Sequence, residues 1–240
     1  MIGFEVRPLG DTAVLARFYG GVSGENVRRV WALARAAREA CGPAALDVVP
    51  AYDTVLVRFD PLETELAGIL ACMRGAAERV SAFGAADLGR PAHEPPHASW
   101  EVGVCFGGEH GPDLADAAAQ LGRTAASLVE ALCSTRFQVA FLGFLAGFPY
   151  LVGLPQELAL ARLPTPRAHV PAGSVAIAGD QCGIYPRATP GGWRLLGRTS
   201  ARLFDLGRTP AALFAPGDDV RFTVSRTLED AAARAAPRTR

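Results

Sequence analysis

The stretch FLGFLAGFPYLVGLP, residues 141–155, decides how this chain is read. It carries no charge, three glycines and two prolines, and Gly143 and Gly147 stand in the GxxxG spacing of packed membrane helices. No residue between Arg136 and Glu157 is charged, which approaches the ~20 residues that a spanning helix needs. The segment nevertheless fails as a span. Pro149 breaks the helix that GxxxG pairing requires, Gln138, Pro155 and Gln156 interrupt the apolar run, and Arg136 and Arg162 flank it with no bias to one side. What remains is a core strand or a piece of backbone shaped for a site, and the surrounding sequence has to choose.

Downstream, the pattern to Ser225 is all β. Short apolar runs (Ser174 to Ala178, Arg194 to Leu196, Leu203 to Asp205, Ala212 to Phe214, Val220 to Val224) alternate with Gly and Pro turns, the punctuation of a barrel or sandwich. Immediately upstream, a strand is expected at Phe137 to Leu142 and another at Trp100 to Phe106. Two short helices lie between them, with Pro112 and Asp113 in the first turn of one and Thr124 capping the other. The first ~85 residues read differently. Strand pairs at 4–7 with 12–18 and at 47–49 with 54–59 are each followed by an amphipathic helix. Val27, Val30, Trp31, Ala34, Ala37 and Cys41 mark the first, stopped by Gly42; Leu66, Ile69, Leu70, Met73, Ala77 and Val80 mark the second. Two strand-strand-helix repeats predict a small sheet with helices on one face.

Composition removes several mechanisms. All 24 basic residues are Arg, balanced by 24 acidic ones. Without Lys there is no Schiff base and no P-loop, and a balanced charge gives no nucleic-acid or lipid-surface signal. The N-terminus lacks signal-peptide architecture, which reads as cytoplasmic. Five scattered cysteines without a CxxC pair read as reduced thiols rather than zinc ligands. His93 and His97 have ligand-like spacing but stand in the Pro-rich connection 84–98, and no GxSxG elbow surrounds a serine. Asp218-Asp219 reads as a turn.

Chemistry concentrates instead in glycine-rich motifs that end on polar or aromatic residues: GGEHGPDL (107–114), FLGFLAGFPYL (141–151), PRAHVPAGSVAIAGDQCGIYP (166–186), TPGGWRLLGRT (189–199), LFD (203–205) and PGDDVRF (216–222). Glycine at this density lets backbone approach backbone or a ligand. In this order the motifs resemble the family of KipI, the B component of 5-oxoprolinase (PxpB) and allophanate hydrolase subunit 1, with the likeness running from about residue 4 to 224.

The resemblance implies an α+β chain: a small N-terminal α/β sandwich domain at 1–90 and a cyclophilin-like β-barrel domain with preceding helices at 99–226; the Ala/Arg-rich stretch 227–240 reads as a flexible tail. Residues 141–155 then become barrel backbone near a site. The activity implied is the ATP-dependent opening of 5-oxoproline to glutamate, in a complex with a subunit-2 (KipA/PxpC-type) protein and a LamB/YcsF-type protein. No cofactor is expected on this chain alone, ATP being used by the complex. Gln181 and Tyr185 would hydrogen-bond the amide, and Arg198 or Arg167 would grip a carboxylate or phosphoryl group in a bidentate fork. Trp193, Phe148, Tyr150 and Cys182 would line the pocket. Three positions depart from the family pattern: Leu132 where a His is common, Ala146 where Pro precedes GFPYL, and Cys182 where Thr is usual. The alternatives are a urea- or allophanate-processing subunit, and a KipI-like inhibitor of a sensor histidine kinase or a specialised biosynthetic derivative. The neighbouring reading frames would discriminate: a biotin carboxylase for urea chemistry, a sensor kinase for inhibition.

Overall fold

A computed structural model describes residues 2–21, 24–83, 97–233 and 236–237. The chain divides into two compact units, residues 1–95 and 96–240.

In the first unit β1 (Phe4–Pro8) and β2 (Ala13–Phe18) precede α1 (Gly24–Cys41), and β3 (Asp47–Pro50) and β4 (Thr54–Arg58) precede α2 (Leu66–Ser81). The antiparallel sheet has the order β1-β2-β4-β3. Alternation in β2 and β4 turns Val14, Ala16, Phe18, Val55 and Val57 onto one face, where both helices cover them with Val30, Leu33, Ile69 and Met73. The helix-on-one-face layer expected from the repeats is what these residues build. Cys41 and Cys72, 31 positions apart, meet where α1 ends against α2: the two thiols hydrogen-bond, and Cys72 Sγ also reaches the Ala40 carbonyl at 3.6 Å.

The second unit opens with β5 (Ser99–Phe106), α3 (Leu114–Gln120) and α4 (Ala125–Ser134), the latter capped by Thr124 through the Ser127 N–H at 3.1 Å. The strands β6 (Phe137–Leu142), β7 (Pro149–Val152), β8 (Arg167–Val170), β9 (Ser174–Ala178), β10 (Gln181–Ile184), β11 (Thr189–Gly191), β12 (Arg194–Arg198) and β13 (Asp219–Val224) follow. Seven of them close in the order β12-β9-β10-β7-β6-β13-β5, the seam being the pairs Gly197↔Phe106 and Arg198↔Cys105. The seam needs a bare α-carbon: a Cβ on Gly197 would stand 2.6 Å from Val104 Cγ1 and 2.8 Å from the Cys105 carbonyl. The barrel-or-sandwich ambiguity is thus resolved as a closed barrel. β8 and β11 form a separate two-stranded flap, with Gly191 opposite Arg167. The interior is filled by Val102, Val104, Phe137, Val139, Leu151, Val175, Ile177, Leu196 and Phe222.

Residues 141–155 form the β6–β7 hairpin and its exit, and no helix among the described residues is long and apolar enough to cross a membrane. One expectation changes: Leu203–Asp205 and Ala212–Phe214 are not strands but share one isolated bridge, Phe204↔Ala212. Among the described residues after Thr227, α5 (Leu228–Ala233) starts on a Thr227 side-chain cap and buries Ala231, and β14 (Ala236–Pro237) pairs with β5. Asp218 closes the expected turn, its N–H donating to the Ala215 carbonyl at 3.1 Å. Its buried carboxylate accepts from the Ala98 and Ala215 N–H groups and from Trp100 Nε1 at 2.8–2.9 Å, tying the barrel's first strand to its last turn. His93 lies outside the described residues, while the His97 ring packs on Gly217.

Candidate functional site

The site is built on the outside of the barrel wall. In β9 the alternation Ser-Val-Ala-Ile-Ala sends Val175 and Ile177 inward and the small Ala176 and Ala178 outward. On β10, Gly183 is paired with Ala176 and, on its other side, with Tyr150 of β7. This trough of small residues lets large rings lie flat on the wall: a Cβ on Gly183 would stand 2.7 Å from Phe148 Cζ and 3.0 Å from Trp193 Cζ3. Phe148 is the hub, with ring centroids at 4.8 Å to Tyr150, 5.2 Å to Tyr185 and 5.7 Å to Trp193. Edge-to-face packing of this kind contributes about 0.5–1.5 kcal/mol per pair beyond burial.

The tip of the β6–β7 hairpin frames this wall. Phe144 takes φ +63, a left-handed backbone, and 61% of it is exposed. Its ring stands edge-on to Phe148 at 5.6 Å. A non-glycine residue in this region costs about 1–2 kcal/mol, which the hydrogen bonds Leu145 N to the Gly143 carbonyl and Phe148 N to the Leu145 carbonyl hold in place.

Charge is arranged around the rings by three arginines with different duties. Arg167 donates to Asp113 at 2.6 Å, and the second Asp113 oxygen accepts the Leu195 N–H at 2.7 Å. Asp113 therefore joins the GGEHGPDL loop to the flap and to β12. Arg194, buried, donates to the Ala161 carbonyl, Asp116 and Gln120 at 2.9, 2.8 and 3.1 Å. Arg162 is exposed, with its guanidinium carbon 5.9 Å from the centre of the Trp193 ring, a cation–π distance. Burial pushes the Tyr150 and Tyr185 hydroxyls above the ordinary phenol range and the Arg162 charge partly offsets it, so both are protonated donors at neutral pH.

The expected residues fall into two groups. Phe148, Tyr150, Tyr185 and Trp193 converge on one wall, and half-buried Gln181 lies on the same outward parity of β10 as Gly183. Arg167 stands beside them in the flap, opposite Gly191, against which the Tyr185 ring packs. Cys182 does not line the pocket. It points into the barrel interior, fully buried, and desolvation pushes its thiol up to about 12; it fills core volume between its two outward neighbours. Arg198 braces a turn: its Nε donates to the Ala172 carbonyl at 2.8 Å, just before Gly173. Leu132 is likewise a core residue, packed in the barrel cluster, so two of the three departures from the family pattern lie away from the aromatic wall. Sequence reasoning passed over Arg162, Arg194 and Asp113; the available signal was their place inside or beside the glycine-rich motifs. Among the described residues no group of His, Cys, Asp and Glu has the arrangement of a metal site. A separate groove of about 540 Å³ against α4 is lined mainly by apolar residues, among them Phe106, Leu114, Val129 and Val224, with Cys133 and Glu130 beside them.

The family model for the carboxyltransferase domain, subdomains C and D, matches residues 4–214. The chain belongs to that family. Within this carboxyltransferase-domain family it is 40% identical to the B component of 5-oxoprolinase from Escherichia coli O157:H7, over 89% of this chain and 93% of that one. Among solved structures, TTHA0988 shares 34% identity at a TM-score of 0.73; the match covers 93% of this chain but only 40% of TTHA0988, so the domain there is part of a longer polypeptide. The Kluyveromyces lactis urea carboxylase, 18% identical, shares the fold over 94% of this chain and 22% of its own length at a TM-score of 0.73.

Proposed function

We propose that this chain is the B component of an ATP-dependent 5-oxoprolinase, acting with a subunit-2 type protein and a LamB/YcsF-type protein. The observation that carries the reading is 40% identity to a 5-oxoprolinase component of that type over nearly the whole length of both chains. The wall supports it chemically. Half-buried Tyr150 and exposed Phe144 present ring surface to a small, flat lactam, and the exposed Arg162 lies 5.9 Å from the Trp193 ring centre.

Amide resonance makes the lactam a poor electrophile, which is why its opening is coupled to ATP. This chain's share is to position and to polarise. Ser174, the serine on β9, gives its hydroxyl proton to the Pro171 carbonyl at 2.8 Å, Cys182 is sealed in the core, and the chain holds no Lys for a P-loop. The nucleophile and the nucleotide site therefore belong to the partners.

The test is reconstitution. Mixed with both partner types, the chain is expected to support ATP-dependent release of glutamate from 5-oxoproline, while the purified single chain turns over neither compound. Turnover by the single chain, or an inactive three-component mixture, would reject this reading.

A further inference from the structure

All five cysteines are free thiols, and two of them meet in the first unit. Cys41 is the last residue of α1, and Gly42 leaves the helix at φ +52. Its side chain is buried in the core that α1 and α2 form with the sheet, whereas Cys72, midway along α2, packs half-buried at the edge of that core. The Cys72 thiol donates to the Ala40 carbonyl at 3.6 Å, which places its sulfur against the last turn of α1, one residue before Cys41. That bond uses the single Cys72 proton. In the hydrogen bond between the two thiols Cys41 therefore donates and the Cys72 sulfur accepts. A buried thiol thus stands directly behind one that solvent reaches. Among the described residues Cys105, Cys133 and Cys182 have no such thiol neighbour.

Burial, with Cys72 as the second cause, pushes the Cys41 thiol up to about 11, so Cys41 is not the sulfur that meets an oxidant first. Cys72 is, because it is the one within reach of solvent. Its sulfur attacks the O–O bond of a hydroperoxide and becomes a sulfenic acid, releasing water. Cys41 Sγ, already in contact, then displaces the sulfenic hydroxyl, which leaves as a second water with the Cys41 proton. Overall two S–H bonds and one O–O bond break, one S–S bond and two O–H bonds form, and the sulfurs give two electrons to the peroxide. The helix end at Gly42 lets residue 41 adjust to the close approach that a disulfide requires. We propose that Cys41 and Cys72 form a dithiol site for a hydroperoxide, whose disulfide ties the end of α1 to the middle of α2.

The experiment treats the reduced full chain with hydrogen peroxide, blocks the remaining thiols with iodoacetamide in denaturant, and reads the product by mass spectrometry. The expected product has lost two hydrogens. Trypsin, cutting after Arg38, Arg58 and Arg74, should release residues 39–58 joined to 59–74, with Cys105, Cys133 and Cys182 alkylated. Closing a loop of this length should raise the melting temperature of the oxidised chain by about 10 °C, and a thiol reductant should reverse the rise. In Cys41→Ser the Cys72 sulfenic acid has no sulfur behind it and should be trapped by dimedone. In Cys72→Ser the buried Cys41 should stay fully alkylatable after the same peroxide treatment. The readout does not depend on turnover, and the wild-type peptide map decides alone where a variant fails to fold. Oxygen added at Cys72 in place of the link, a link between any other pair of cysteines, five alkylatable thiols after excess peroxide, or a lower melting temperature on oxidation overturns the proposal.

Discussion

Gly183 lies directly beneath the Phe148 ring, and a methyl group on its α-carbon would come within 2.7 Å of Phe148 Cζ. The aromatic wall exists because this one position on β10 has no side chain. Trp193 presses on the same spot from the other side, at 3.0 Å. Gly183→Ala is expected to push both rings outward while the barrel ladder persists. Overpacking of this kind costs about 1–3 kcal/mol. The checks are chemical denaturation and the turnover of the reconstituted complex. Loss of stability within that range with loss of most turnover is expected, and unchanged turnover would show that the rings do not form the working surface.

Asp113 serves two elements with its two oxygens, Arg167 on the flap and the Leu195 N–H on β12. Its side chain is only 11% exposed, so solvent replaces these bonds poorly. Asp113→Ala should destabilise the barrel unit by about 1.5–3 kcal/mol, the range for hydrogen bonds to a charged group. Asp113→Asn keeps an acceptor for one partner and should fall between. A urea-midpoint shift of zero for the alanine variant would show that the flap is not held through this residue.

Arg198 is expected to matter to stability before activity. Its Nε bond to the Ala172 carbonyl braces the turn that leads into β9. Arg198→Ala removes that bond, at a cost of about 1 kcal/mol. Melting temperature and turnover should be measured on the same preparations. Arg198 becomes a site residue instead if the melting temperature is unchanged and turnover collapses.

The buried thiols make stability fall at alkaline pH. Desolvation raises Cys182 from 9.0 to about 12 and is the first cause that lifts Cys41 to about 11. Between pH 9 and those values the unfolded chain has released protons that the folded chain retains, so the slope of unfolding free energy with pH is negative. The contribution is complete below pH 9 and is lost as pH rises through the folded values. Denaturation midpoints should therefore decline from pH 9 upward, and less steeply in Cys182→Ala than in the wild type. At pH 8, iodoacetamide should modify half-buried Cys72 in the native protein and leave Cys182 untouched; early labelling of Cys182 would place it outside the core.

Local sequence determined the order of elements. Apolar spacing in α1 and α2, the stop at Gly42, the Thr124 cap and the Gly/Pro turns between short strands depend on neighbours within a few positions, and each is found where expected. The glycine-rich motifs also marked the right wall, since Phe148, Tyr150, Tyr185 and Trp193 all come from them. Tertiary structure decided which way each side chain faces and which charge is free. Gln181, Cys182 and Gly183 are consecutive, yet barrel closure puts the middle one in the core and the other two outside, because alternation along a strand has no sign until the register with β9 and β7 is set. The three arginines 162, 167 and 198 look alike in sequence. Only long-range contacts show that Asp113, 54 positions away, takes Arg167, that the Ala172 carbonyl takes Arg198, and that Arg162 remains over Trp193. An ion pair is fixed by distance in space, which a strand pattern does not encode.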